Sequence, residues 1–195
     1  MKKLIFPVIF LAGLTSCSKR VDTVGEQNKK LVHEYSGAIV QGDTSNLEAY
    51  LSEDYRSSGP AMKDSSNRQQ QVDSWKKNWR DAWASVIYDR QAMVAFTILP
   101  GEKHPGDWVA DWANITVKFK NGTPPATFFY HAVSRVKEGK IDRVIVHYDV
   151  NDILVQQGFT ITPPASKAAK PKEIKKKALT KKEAKVAKKK AGKKK

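Results

Sequence analysis

The chain has 195 residues, 35 Lys plus Arg against 20 Asp plus Glu, and a formal net charge of +15. The excess sits at the ends: residues 165–195 hold 15 Lys and 2 Glu, residues 1–16 add Lys2 and Lys3, and residues 17–164 carry acidic and basic side chains in equal number. A uniformly basic nucleic-acid-binding domain is thereby excluded, a lone cysteine excludes an intrachain disulfide and a cysteine metal cluster, and no apolar run reaches the ~20 residues of a helical membrane span.

Lys2 and Lys3 precede an apolar stretch at residues 4–14, too short to cross a bilayer but long enough for a signal-peptide core. It ends in Leu14-Thr15-Ser16-Cys17, which resembles the bacterial lipobox. The resemblance implies removal of residues 1–16, a lipid on Cys17 and a place in the cell envelope. Ser18, where Asp would signal inner-membrane retention, implies the outer membrane. Residues 17–25 read as a polar tether.

The body is expected over residues 26–162. Leu31, Val32, Tyr35, Ala38 and Ile39 form one apolar helix face, and Gly42-Asp43 ends that helix. Ser45-Asn46-Leu47-Glu48 has capping-box spacing and predicts a short second helix. Ser57-Ser58-Gly59-Pro60 breaks the chain. A third helix is expected from Ser65 or Ser66, carrying Val72, Trp75, Trp79, Trp83 and Val86 on one stripe. Strands follow at residues 86–99, 108–120, 126–136 and 140–148, separated by Pro-Gly, Asn121-Gly122 and Glu138-Gly139 turns. Residues 149–157 close the body as a short helix with Asp149 as its N-cap. Helices followed by an antiparallel meander make the fold class α+β.

This order, with Gly42-Asp43, residues 51–55 (Leu-Ser-Glu-Asp-Tyr), Glu138-Gly139-Lys140-Ile141, Tyr148-Asp149 and Gln156-Gln157-Gly158, resembles the SnoaL-like branch of the nuclear transport factor 2-like superfamily over residues 26–160. The resemblance implies a cone: three N-terminal helices packed in a curved antiparallel sheet around an apolar pocket. The family includes enzymes such as ketosteroid isomerase, polyketide cyclases and dehydratases, beside proteins without a known reaction. Tyr35 falls where the isomerase has its oxyanion-hole tyrosine. The positions of its base and second acid fall at Gly59 and near Ala132, neither ionisable, so isomerase-type catalysis is not expected.

Asp111 alternates with Val109, Ala113, Ile115 and Val117 on an otherwise apolar strand face, where a carboxylate is costly unless paired. It is the foremost acid/base candidate, with His131 or Tyr35 as its partner. Tyr55, Trp79, His147 and Tyr148 are expected to line the pocket, although the Trp75, Trp79, Trp83 stripe at helical spacing reads first as core. His131 and His147 lie on neighbouring strands and could meet, but no spacing supplies a third ligand, so neither metal nor cofactor is expected. Trp108 and Trp112 point away from the Asp111 face. Exposed aromatics there would suit the pairing of two copies through the sheet, as in many family members.

Residues 163–195 are Lys- and Ala-rich without an aromatic residue, and such charge density predicts disorder. Lysines of this kind bind polyanions without sequence readout. In an exported lipoprotein the partners would be anionic lipids or envelope polymers. Three functions remain open from the sequence: a domain binding a small apolar ligand or a protein partner, an enzyme of the same fold, and a polyanion or nucleic-acid binder acting through the tail.

Overall fold

A computed structural model describes residues 16–162, with side chains from residue 23 onward. The expected signal peptide and tail, and the side chain of Cys17, lie outside these residues. Among the described residues no helix is long and apolar enough to cross a membrane.

Helix α1 spans Ser16–Gln41. It therefore includes residues 17–25, expected as a tether. Val24 and Asn28 help to line a groove with Asp107 and Val136, and Asn28 is buried, so the packing that stabilises the helix continues on the N-terminal side of Glu26. Gly42 stops it as expected. Its φ of +76° suits glycine, and a Cβ there would meet the Trp79 ring at 3.2 Å.

The second helix is only a 3-10 turn, Leu47–Tyr50, and the capping box expected at Ser45 does not form. Asp43 Oδ1 instead accepts from the Ser45 amide and, at 2.6 Å, from its hydroxyl. The chain then enters a strand that the sequence analysis did not anticipate, β1 at Leu51–Ser58, followed by the short β2 at Ser65–Asn67. β1 is mostly polar, but Leu51, Tyr55 and Ser57 are buried.

Helix α2 runs from Arg68 to Lys77 and starts later than expected, at Asn67, which forms a complete capping box with Gln70. It also ends earlier. A single π-turn, Asn78–Ala82, leads into β3 at Trp83–Ile98, so Trp83 and Val86 are strand residues rather than members of the helical stripe. The tryptophans still pack together: the Trp83 ring centroid lies 5.7 Å from that of Trp75 and 6.0 Å from that of Trp79.

Strands β4 (Gly106–Phe119), β5 (Ala126–Lys137) and β6 (Lys140–His147) follow the expected pattern, and α3 closes the body at Val150–Gln156. Asp149 is the N-cap of α3, accepting from the amides of Asn151 and Asp152. The strands form one six-stranded sheet in the order β2-β1-β6-β5-β4-β3. Its β3 to β6 portion is the expected antiparallel meander, and β1 joins it parallel to β6. Register shifts at Leu51/Arg56, Trp83/Ser85, Arg90/Ala92 and Arg135/Val136 break the ladder, the device by which sheets bend. The fold class is α+β, with a curved, unclosed sheet whose inner face carries α1. The core includes Val32, Tyr35, Leu47, Leu51, Tyr55, Val72, Val109 and Ile141.

Candidate functional site

Alternation along β4 fixes which side chains enter the body. Val109, Asp111, Ala113, Ile115 and Val117 face the helices, and all are buried. Asp111 is 2% exposed, so its charge needs a partner. The neighbouring strand β3 supplies two. Arg90 donates from Nε to Oδ1 at 3.0 Å and from Nη2 to Oδ2 at 3.1 Å, and the Tyr88 hydroxyl donates to Oδ2 at 2.8 Å. Arg90 also donates to Ser36 Oγ on α1, contacts His33 Nδ1, and lies over the Tyr88 ring. Arg90 alternates with Val86 and Tyr88 on the inner face, across from Ala113, and the bulge that follows it turns Met93 and Ala95 inward beyond that point.

Two adjoining chambers occupy the interior. The first, about 470 Å³, is lined by Asp111, Tyr35, Tyr55, Ser57, Gln71 and Ser134, among others, and by the residue 59–66 segment at its rim. The second, about 300 Å³, is apolar, with Val86, Ile115, Val117, Phe119 and Phe128 from the sheet and Val150 and Ile153 from α3. Ser36, Ile39, Trp75, Tyr88, Tyr130 and Tyr148 line both, so the chambers meet at a neck of mainly aromatic side chains.

The phenols of this wall stay neutral. Burial pushes Tyr35 up to about 12, partly offset by the hydrogen bond from Trp75 Nε1 and by Tyr55. Burial raises Tyr55 as well, and its neighbour Tyr35 adds to the rise. Tyr88 is raised by burial and by Asp111, Tyr130 by burial and by Tyr88, and Tyr148 by burial and by Asp64. The cavity therefore presents hydroxyl donors, not phenolates.

The structure brings together Asp111, Tyr35, Tyr55 and Tyr148. It does not bring in His131, His147 or Trp79. Asp111 pairs across the sheet with Ala132, whereas His131 pairs with Trp112 on the other face and stacks on it at 5.0 Å between centroids. His147 continues that stack at 6.2 Å, so His131 is neither Asp111's partner nor in the cavity with it. Burial, then the neighbouring His147, lowers the His131 pKa and favours the neutral ring. Trp79 packs on Trp83 and Gly42 and donates Nε1 to the Ile39 carbonyl at 2.6 Å, so it belongs to the core at the end of α1. Trp108 points outward as expected, yet it is buried beneath Arg135. Ile87, Val94, Phe96 and Phe129 are the large apolar residues left exposed on the sheet.

Arg90, Tyr88 and Tyr130 are site residues that the sequence analysis did not name, and Trp75, read there as core, lines both chambers. The two positions expected to lack isomerase acids, Gly59 and Ala132, do line the polar chamber. A Cβ on Gly59 would lie 2.0 Å from the Val146 carbonyl oxygen, so no carboxylate can be supplied from that position. Among the described residues no group of three or more His, Cys, Asp or Glu is placed to hold a metal ion.

No protein-family profile matches the chain, and no curated protein does. Solved structures do. An LEH-like epoxide hydrolase from M. tuberculosis superposes with a TM-score of 0.54 at 12% identity, covering 68% of this chain and 90% of its own. A Catenulispora acidiphila protein of ketosteroid isomerase-like fold, solved in complex with trimethylamine, gives 0.54 at 18% identity, covering 68% and 97%. The fold is the nuclear transport factor 2-like cone. A Shewanella putrefaciens protein assigned as a SnoaL-like polyketide cyclase shares this cone with the chain, with a TM-score of 0.51 at 12% identity over 67% and 95% of the two chains.

Proposed function

We propose that the body binds a small, largely apolar molecule inside the cone. The observation that carries this reading is the pair of contiguous chambers, one apolar and one polar with several tyrosine and serine hydroxyls in its lining, with a combined extent that suits a small ligand. The trimethylamine bound by the Catenulispora protein of the same fold supports it. Ala132→Phe tests it. Ala132 is buried beside Asp111 in the polar chamber, and a phenyl ring there takes up part of that chamber. A ligand found by screening against tryptophan fluorescence should lose affinity in this variant or in Val86→Phe, which obstructs the apolar chamber, while circular dichroism stays unchanged; binding retained by both folded variants would sink the reading.

The second reading is an enzyme of this fold, favoured by a carboxylate that faces a cavity and by the epoxide hydrolase likeness. Asp111 would serve with Tyr35, which shares its chamber. Against it, both Asp111 oxygens already accept from Arg90, and Oδ2 also from Tyr88. These three bonds leave Oδ1 one lone pair on which to accept a substrate proton. Asp111→Asn should abolish turnover of any substrate discovered, and a fully active variant removes this reading.

For the ends of the chain, we infer from the sequence an envelope lipoprotein held by a lipid on Cys17, with the Lys-rich residues 165–195 adding contact with anionic lipids or polymers. Cys17→Ser should move the protein out of the membrane fraction. Binding to anionic vesicles or to DNA should fall steeply with salt and vanish on deletion of residues 165–195. Pairing of two copies through the exposed apolar residues of the outer sheet face would show as a dimer in sedimentation.

A further inference from the structure

Tyr130 holds a particular place in this interior. Its ring packs against both buried clusters of the body and lines both chambers. It meets Tyr88 edge-on at 6.0 Å and lies near-parallel to Tyr148 at 6.4 Å, so three phenols surround the neck. Tyr88 has spent its hydroxyl on Asp111. Tyr130 and Tyr148 are half-buried and line both chambers, and neither hydroxyl is among the fully buried groups left without a partner. Each can donate to water or to a ligand acceptor at the neck, which takes the water's place.

The side chains that line both chambers are uncharged, Asp111 is paired with Arg90, and Lys63 and Asp64 line only the polar chamber. A charged head at the neck would meet no charged side chain there and would lose part of its hydration. Beyond the neck, the second chamber is walled by aliphatic and aromatic side chains from β3, β4, β5 and α3, which suits a hydrocarbon body.

From this we propose that the ligand is an elongated, uncharged amphiphile, with its apolar body in the chamber beneath α3 and an acceptor oxygen at the hydroxyls of Tyr130 and Tyr148. The inference rests on the binding reading and narrows it to a chemical class: long-chain esters, ketones or ethers rather than free acids, amines or bare hydrocarbons.

The test uses the purified full chain and three probes, methyl laurate, laurate and dodecane, read by tryptophan fluorescence, since Trp75 lines both chambers. Methyl laurate should bind more tightly than either of the others. Replacing both tyrosines (Tyr130→Phe, Tyr148→Phe) should weaken methyl laurate roughly five- to tenfold and leave dodecane unchanged. Val86→Phe, which fills the apolar chamber, should weaken both. If that variant does not fold, Val150→Trp on the exposed wall of α3 replaces it. Methyl laurate binding that survives the double tyrosine replacement, laurate binding more tightly than its ester, or dodecane binding equally well would each overturn the oxygen-head inference while leaving the binding reading intact. Failure of methyl laurate and dodecane alike to bind the folded wild-type chain would overturn the apolar-ligand reading as well.

Discussion

Arg90 holds Asp111 in place, and the pair is a sharp test of the site at the scale of one side chain. The Asp111 side chain is 3% exposed and that of Arg90 is 23% exposed, so removing the guanidinium strands a buried carboxylate. Arg90→Met should cost about 3–5 kcal/mol in chemical denaturation, and adding Asp111→Leu should recover most of it, because an apolar pair needs no matching charge. A single variant as stable as wild type would mean that water, not Arg90, solvates Asp111. Asp111 was legible in the sequence as the one charge on an apolar alternation. Its partner was not, because Arg90 stands between Asp89 and Gln91 in what looks like a solvated run, and the bulge that follows it breaks the period-2 pattern. The pairing with His131 failed for a related reason. Residues on adjacent strands share a face only if the register allows it, and the observed register sets Asp111 against Ala132.

At the scale of elements, the meander was readable because its strands alternate and their turns carry Asn-Gly or Glu-Gly signals. β1 was not, since most of its residues are polar and its partner β6 lies far away in the chain. The helical stripe through Trp83 was misread because Trp75, Trp79 and Trp83 do pack together, while the π-turn that hands Trp83 to β3 leaves no mark in residue spacing. The closing helix was read correctly, down to its cap, and it now has a role as one wall of the apolar chamber through Val150 and Ile153. With only 7 residues, α3 has little stability of its own, and Asp149 satisfies two of its free amides. Asp149→Ala should cost about 1 kcal/mol. Amide hydrogen exchange should speed up in α3 while β4 and β5 keep their protection, and bound ligand should dissociate faster. Uniform acceleration across the sheet would instead mean that α3 unfolds only with the whole body.

At the scale of the whole molecule, charge and cavity separate. The net charge belongs to the two ends of the sequence, and the body between them is neutral, so the cone's response to pH is set by what it buries. Its buried carboxylates are matched within, Asp111 by Arg90 and Asp142 by Arg135. Its interior is instead phenolic, which predicts an unusual sensitivity to alkali. Tyr35 ionises at 10.0 in the unfolded chain and at about 12 in the fold, because burial disfavours phenolate. A raised pKa keeps its full stabilising contribution below 10.0, and that contribution is lost as pH climbs from 10.0 toward 12. For Tyr35 alone the difference corresponds to about 3 kcal/mol, and Tyr55, Tyr88, Tyr130 and Tyr148 shift in the same direction. Tyrosinate absorbance and circular dichroism followed together should therefore rise and collapse in one step above pH 10, since these phenols ionise only by opening the cone. Tyr35→Phe should flatten the alkaline loss of stability. Smooth ionisation near pH 10 with the fold intact would mean that the cavity wall is wet, and with it the case for an apolar ligand in this interior would fall.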